Sequence, residues 1–250
     1  MSISELSETT AVVTGASRGF GRATAASLVA RGARVVGVAR SKIQLDDLRQ
    51  QLGASFLPVV ADLADAALAA RLMAEHRPGL VVLNAGATPP AAPLQEQTWE
   101  GFSQNWKVDV QHVFHFLRQA LTTPLAPDSV VISFSSGAAM RGSPLSGGYA
   151  GAKATIRFMS SYARAEAERN SLGIRFVSIL PQLTPATALG APFVGAYAKY
   201  AGLSVDDYLA QFGETLTTDQ VAQSVLTLAT DEELRAPAYL LTAGGMSPVD

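Results

Sequence analysis

Seven short runs of apolar, mostly β-branched residues recur along the chain, at 10–14, 34–39, 56–61, 80–84, 129–134, 174–180 and 238–242. Each is continuously apolar rather than alternating, the pattern of a strand buried on both faces. Segments of helical periodicity separate them. Ser41-Lys42-Ile43-Gln44 has capping-box spacing and opens a helix expected to run through Leu52. Thr217-Thr218-Asp219-Gln220 repeats that signal ahead of Val221, Val225 and Leu228. Trp106, Val110, Val113, Phe114, Leu117 and Leu121 recur at helical spacing, so one long helix is expected through them. Strand–helix alternation of this kind gives a parallel sheet covered on both faces, with the ligand at the carboxyl ends of the strands. The stretch 181–200 looks irregular, yet its apolar anchors show that it is no spacer.

Composition narrows the function classes. Lys+Arg number 19 against 21 Asp+Glu, a net charge of −2, so no basic excess exists to release counterions from a nucleic acid. Zero cysteines exclude disulfides, thiolate metal sites and cysteine nucleophiles. No segment reaches the roughly 18 consecutive apolar residues of a membrane helix. The first residues lack the basic and apolar regions of a secretory signal, so a cytoplasmic protein without membrane or nucleic-acid partners is expected. Charged residues make up 16% of the chain, below the ~25% usual for globular domains, which suggests surface hidden between subunits.

Thr14-Gly15-Ala16-Ser17-Arg18-Gly19-Phe20-Gly21 follows the first strand and opens the first helix. Glycines let a backbone turn tightly and approach a pyrophosphate, which then meets the free N–H groups of a helix N-terminus. The spacing is G-x-x-x-G-x-G rather than the commoner G-x-G-x-x-G. With a strand before it and a helix after it, the turn predicts a Rossmann-type, doubly wound parallel sheet of about seven strands, with helices on both faces. A single dinucleotide-binding domain over 1–250 follows. The second strand ends Val38-Ala39-Arg40-Ser41, with no carboxylate for a ribose 2′-OH. Arg40 and Arg18 instead suit a 2′-phosphate, so NADP(H) is the expected cofactor.

The chain resembles the short-chain dehydrogenases/reductases (SDR family) over essentially its whole length. The glycine turn is followed, in family order, by Asp62-Leu63, Asn84-Ala85-Gly86, Ser135-Ser136, Tyr149-Ala150-Gly151-Ala152-Lys153, Pro181 and Gly244-Gly245. Tyr149 and Lys153 are four apart and share a helix face. An ammonium beside a phenol stabilises phenolate, which makes Tyr149 a candidate general acid/base. Ser136 lies at the family's spacing from Tyr149 and suits the substrate oxygen; Ser135 is its rival. The resemblance implies that Lys153 also binds the nicotinamide ribose. It further implies cofactor contacts from Gly15, Ser17, Arg18, Gly19, Phe20, Gly21, Arg40, Asp62, Leu63, Asn84, Ala85, Gly86, Tyr149, Lys153, Pro181 and Leu183. For Asp62 a helix N-cap is the competing role; for 84–86 it is a turn that locks neighbouring strands.

Two departures from the family pattern stand out. Its fourth catalytic position is normally Asn, holding a water that relays protons to the lysine. Asp109 occupies that place here, and Asn105, four residues earlier, fits the spacing less well. Pro181 is followed by Gln182-Leu183 instead of Gly. The substrate segment is expected at about 181–213. Ser136, Met140, Leu145, Gln182 and Tyr197 are the candidate substrate contacts, with Leu183, Phe193 and Tyr200 nearby. His112 and His115 lie three apart, but no cysteine, third histidine or carboxylate cluster accompanies them, so no metal site is expected. The implied activity is hydride transfer between NADP(H) and a small carbonyl compound or secondary alcohol. A non-redox enzyme of the same family (epimerase or dehydratase) and a catalytically weak NADP(H)-binding regulator are the alternatives. The helices around 106–121 and 149–170, with the C-terminal stretch, are expected to build a homotetramer, with a homodimer as the alternative.

Overall fold

The computed structural model describes residues 3 and 5–249. Seven parallel strands form where the apolar runs predict them: β1 (Thr10–Thr14), β2 (Arg34–Ala39), β3 (Phe56–Val60), β4 (Leu80–Leu83), β5 (Val130–Phe134), β6 (Arg175–Pro181) and β7 (Ala238–Thr242). An eighth, β8 (Gly245–Val249), pairs antiparallel with β7 and was not anticipated. The sheet order is β3-β2-β1-β4-β5-β6-β7-β8. The strand order therefore reverses between the parallel neighbours β1 and β4, the switch point at which such sheets bind ligands.

Helices cover both faces. They are α1 (Gly19–Ala30), α2 (Lys42–Leu52), α3 (Ala66–His76), α4 (Trp99–Asn105), α5 (Gln111–Thr122), α6 (Ala138–Arg141), α7 (Gly147–Arg169), α8 (Gly190–Ala201), α9 (Val205–Ala210) and α10 (Thr218–Thr230). One apolar core joins α1, α2 and α10 to the sheet through Leu28, Leu45, Leu48, Val221 and Val225. The other joins α3, α5 and α7 through Leu68, Leu72, Val113, Phe116 and Ile156. The sheet's central valines and leucines face one core or the other, which is why the strands carry no polar alternation.

The expected caps form. Ser41 Oγ accepts from Gln44 N at the start of α2, and Thr217 and Gln220 make a complete capping box at α10. The long helix differs from expectation. It begins at Trp99, and α4 passes into α5 through a π turn over Trp106–Val110. The stretch 181–200 is not irregular throughout, since α8 occupies its second half.

Candidate active site

The glycine turn leaves β1 with Gly15 at φ +68°, a conformation that side chains rarely adopt. Gly21 packs against it, and a Cβ there would overlap the Gly15 carbonyl oxygen. Gly15 N donates to Val38 O at 2.8 Å, which ties the turn to the end of β2. Arg40 is exposed one residue beyond that strand, and Arg18 is exposed within the turn. Neither guanidinium enters an ion pair among the described residues. Arg18 occupies the N-cap position of α1 without capping it by its side chain, so the first N–H groups keep no side-chain partner. The cradle fits a dinucleotide pyrophosphate: a tight glycine turn, uncapped N–H donors and two free cations on one edge.

Asn84 serves as a strand lock. Its Nδ2 donates to Thr14 O at 3.1 Å and Gly15 O at 3.3 Å, while its own N–H donates to Thr14 Oγ1 at 3.0 Å. Ala85 and Gly86 follow, partly buried and exposed. Asp62 is not a helix cap. It is exposed and accepts from Ala64 N, while Asp65 caps α3 through Ala67 N. Leu63 is buried in the core. Phe20 turns inward onto Phe134, ring centroids 6.2 Å apart, so only its backbone faces the turn.

Ser135 and Ser136 separate cleanly. Ser135 Oγ is buried and donates to Lys153 O at 2.7 Å, which removes it from the site. Ser136 Oγ accepts from Ala138 N at 3.2 Å, which leaves its O–H to donate. Lys153 Nζ lies 5.5 Å from the centroid of the Tyr149 ring. It donates to Phe134 O at 3.1 Å and pairs with Asp109 Oδ2 at 3.1 Å. Lys153 and Asp109 are both buried. Burial by itself lowers the Lys153 ammonium, but Asp109 and then Tyr149 outweigh it and hold the group above its ordinary value.

The π turn presents Asp109. Asp109 Oδ1 accepts from Ala87 N at 2.8 Å and from Asn105 Nδ2 at 3.3 Å, and Asn105 Nδ2 also donates to Ala87 O at 2.8 Å. Asn105 therefore supports Asp109 from one turn away, and Asp109 faces the lysine, as the spacing predicts. His112 is fully buried, with both ring nitrogens unpartnered and its ring edge-on to Phe116. Burial, then Lys153 and His115, push it down to about 3.

The other substrate candidates lie on the segments that follow β5 and β6. Gly137 N donates to Pro181 O at 3.1 Å, and Gln182 N donates to Leu241 O at 2.9 Å. Met140 is half-exposed, Leu145 is buried, and Gln182 and Leu183 are partly buried. Tyr200 is largely exposed on α8. Tyr197 Oη is hydrogen-bonded to Ser143 Oγ, a contact that the sequence gives no signal for.

The model of the family described as short chain dehydrogenase matches residues 9–194. The chain belongs to this family, whose members are oxidoreductases that use nicotinamide cofactors. It is similar to serine 3-dehydrogenase of Rhizobium radiobacter, 32% identical over 182 residues, covering 69% of this chain and 70% of that one. An NADPH-dependent pterin aldehyde reductase of Arabidopsis thaliana is 29% identical and covers 76% of this chain and 81% of its own. Among solved structures, a 3-ketoacyl-(acyl-carrier-protein) reductase of Brucella melitensis complexed with NADH superposes with a TM-score of 0.78. It has 21% identity and covers 96% of this chain and 98% of its own.

Proposed function

We propose that this chain is a cytoplasmic NADP(H)-dependent oxidoreductase that interconverts a carbonyl compound and a secondary alcohol, with Tyr149 as general acid/base. The observation that carries the reading is the buried Lys153 ammonium, fixed by Asp109 beside the Tyr149 ring at the strand ends. Ser136 supports it with a hydroxyl free to donate to the substrate oxygen, where charge develops as the carbonyl is reduced. Tyr149 gives a proton to that oxygen in reduction and takes it back in oxidation. Lys153 holds the phenolate formed in between by its charge. A bound nicotinamide supplies or accepts the hydride.

The backbone of Gly15, Ser17, Gly19, Phe20 and Gly21 would hold the pyrophosphate. Asp62 and Leu63 would meet the adenine, and Asn84, Ala85, Gly86, Lys153, Pro181 and Leu183 the nicotinamide half. The relatives' names point both ways on the coenzyme, one to NADPH and one structure to NADH. Arg18 and Arg40, exposed and unpaired beside a strand end without a carboxylate, support NADP(H). Ser136, Met140, Leu145, Gln182 and Tyr197 are the substrate contacts in this reading.

The test is consumption of NADPH across a panel of ketones and aldehydes, repeated with Tyr149→Phe. The variant keeps the ring and deletes the proton donor, so turnover is expected to fall by at least about 10²-fold with NADPH binding intact. A Phe variant with near-normal turnover overturns the assignment. The Lys153–Asp109 ion pair favours one second reading, a regulator that binds NADP(H) without turnover, because the carboxylate competes for the lysine. NADPH binding without reaction across the panel selects that reading.

We also propose a homotetramer, with a homodimer as the alternative. Trp106, Phe114, Phe158 and Tyr162 leave the outer side of the π turn, α5 and α7 apolar and at least 41% exposed. Phe158 and Tyr162 stack with ring centroids 6.4 Å apart. A helical face of this kind suits a twofold contact, and the β8 edge offers a second one.

A further inference from the structure

Residues 184–216 leave the sheet after β6 and return at the start of α10. Their two ends are joined, because Thr184 Oγ1 is buried and donates to Leu216 O at 2.5 Å. Between these ends the segment reaches across the strand edge. At one side Thr187 lies over the glycine turn, its Cγ2 3.6 Å from where a Cβ on Gly19 would stand. At the other, Tyr197 Oη is hydrogen-bonded to Ser143 Oγ, which lies 2.5 Å from Ser146 Oγ. Ser146 immediately precedes α7 and stands three residues before Tyr149. Its carbonyl accepts from Ala150 N at 3.0 Å, within the first turn that sets the tyrosine.

The segment is stiffened from within by its own aromatic rings. Tyr197 packs on Phe193 and stacks on Tyr208 at 6.3 Å and 8° between planes, and Tyr208 meets Phe212 edge-on at 5.2 Å. Movement of α8 and α9 therefore carries Tyr197 with it. No other side-chain hydrogen bond links α8 or α9 to the turn before α7 among the described residues.

We propose that Tyr197 is a positioning residue: its hydroxyl, through Ser143 and Ser146, clasps the 184–216 segment shut and fixes the turn that delivers Tyr149. The segment is a lid with a permanent tie at its base and a breakable one at its tip. Closing it and seating the catalytic phenol are one event. The inference rests on the catalytic reading of Tyr149 and makes Tyr197 more than a wall of the substrate site.

The experiment compares wild type with Tyr197→Phe, Ser143→Ala, the double variant and Ser143→Thr, by amide hydrogen exchange without substrate and by steady-state kinetics. One lost hydroxyl bond frees an opening equilibrium by about fivefold to tenfold. Exchange across 190–210 is expected to speed up by that factor in both single variants. The double variant should be no faster, since both changes break one tie, and Ser143→Thr should restore slow exchange. In kinetics, kcat/KM should fall by a similar factor while NADPH affinity holds. Unchanged exchange in the single variants overturns the clasp, as does an additive double variant. A panel with no turnover defeats the catalytic reading, while the exchange data still judge the clasp separately.

Discussion

Asp109 and Lys153 sit at 3.1 Å with almost no solvent on either side. Removing one partner of such a pair ordinarily strands a buried charge. Asparagine at 109 keeps an acceptor for Ala87 N–H, so Asp109→Asn is expected to fold. The sign of its effect on pH follows from the balance at the lysine. Burial pulls the Lys153 ammonium down and Asp109 holds it up, so without the carboxylate the ammonium loses its proton at lower pH. The alkaline limb of the kcat/KM profile should move towards neutrality; an unmoved limb would show that the pair does not govern the lysine. Arg40 offers a second check. Arg40→Ala removes a charge-assisted contact worth about 1.5–3 kcal/mol, so NADPH affinity should drop tenfold or more while NADH affinity barely moves. Equal losses for both coenzymes, measured by titration, would remove the 2′-phosphate assignment. The meeting of Tyr149 with Lys153 was legible because residues four apart on one helix share a face, and that of Asp109 with Lys153 only through the family order, since 44 residues separate them. Phe20 and Asn84 were legible only as positions. The inward ring of one is decided by Phe134 of β5 and the locking amide of the other by the end of β1, each far off in sequence.

At the scale of elements, the π turn is the feature that periodicity could not reveal. One extra residue within a helix leaves the apolar spacing on both sides intact while turning Asn105 and Asp109 inward together. The next element, α5, buries His112 beside this pair, and the consequence is a sensitivity to acid. Above pH 6.5 the imidazole is neutral whether the chain is folded or not. Below it the unfolded chain takes up a proton that the folded one refuses until about pH 3. Stability present above 6.5 is therefore lost at about 1.4 kcal/mol per unit as pH falls, or about 2 kcal/mol between pH 7 and 5. Denaturant unfolding of wild type and His112→Leu at both values should show the difference between them shift by that amount in favour of the variant. A difference independent of pH would mean that the folded protein admits the proton. The seven parallel strands were readable because burial on both faces writes itself as unbroken apolar runs. β8, Gly-Met-Ser-Pro-Val, carries glycine and proline and is largely exposed; only its pairing with β7 makes it a strand. The α8 helix hid behind Pro181 and Pro185, whose turn signals read as loop.

For the molecule as a whole, the exposed aromatic face on the π turn, α5 and α7 carries the prediction of assembly. Light scattering at micromolar concentration should give about four times the 26.1 kDa chain mass, or twice that mass for a dimer. A mass near one chain would defeat both. Charge substitutions at Phe158 and Tyr162 should then shift the mass downwards without changing the circular dichroism of the fold. The sequence already pointed to the helices around 106–121 and 149–170 for this contact, but not to Trp106, Phe114, Phe158 and Tyr162 as the side chains that the fold leaves exposed there. The joined ends of the 184–216 segment have a different kind of consequence. A chain that leaves and re-enters a scaffold at one point is a cassette. Apart from Leu216 in the core and the Tyr197–Ser143 tie, its length enters the stability of the sheet through a closure entropy that grows slowly with length. Under the substrate role proposed above, an exchange of the whole segment would hand a new substrate range to an unaltered glycine turn, provided that each incoming cassette brought its own closing pair in place of Thr184 and Leu216 and a partner for Ser143.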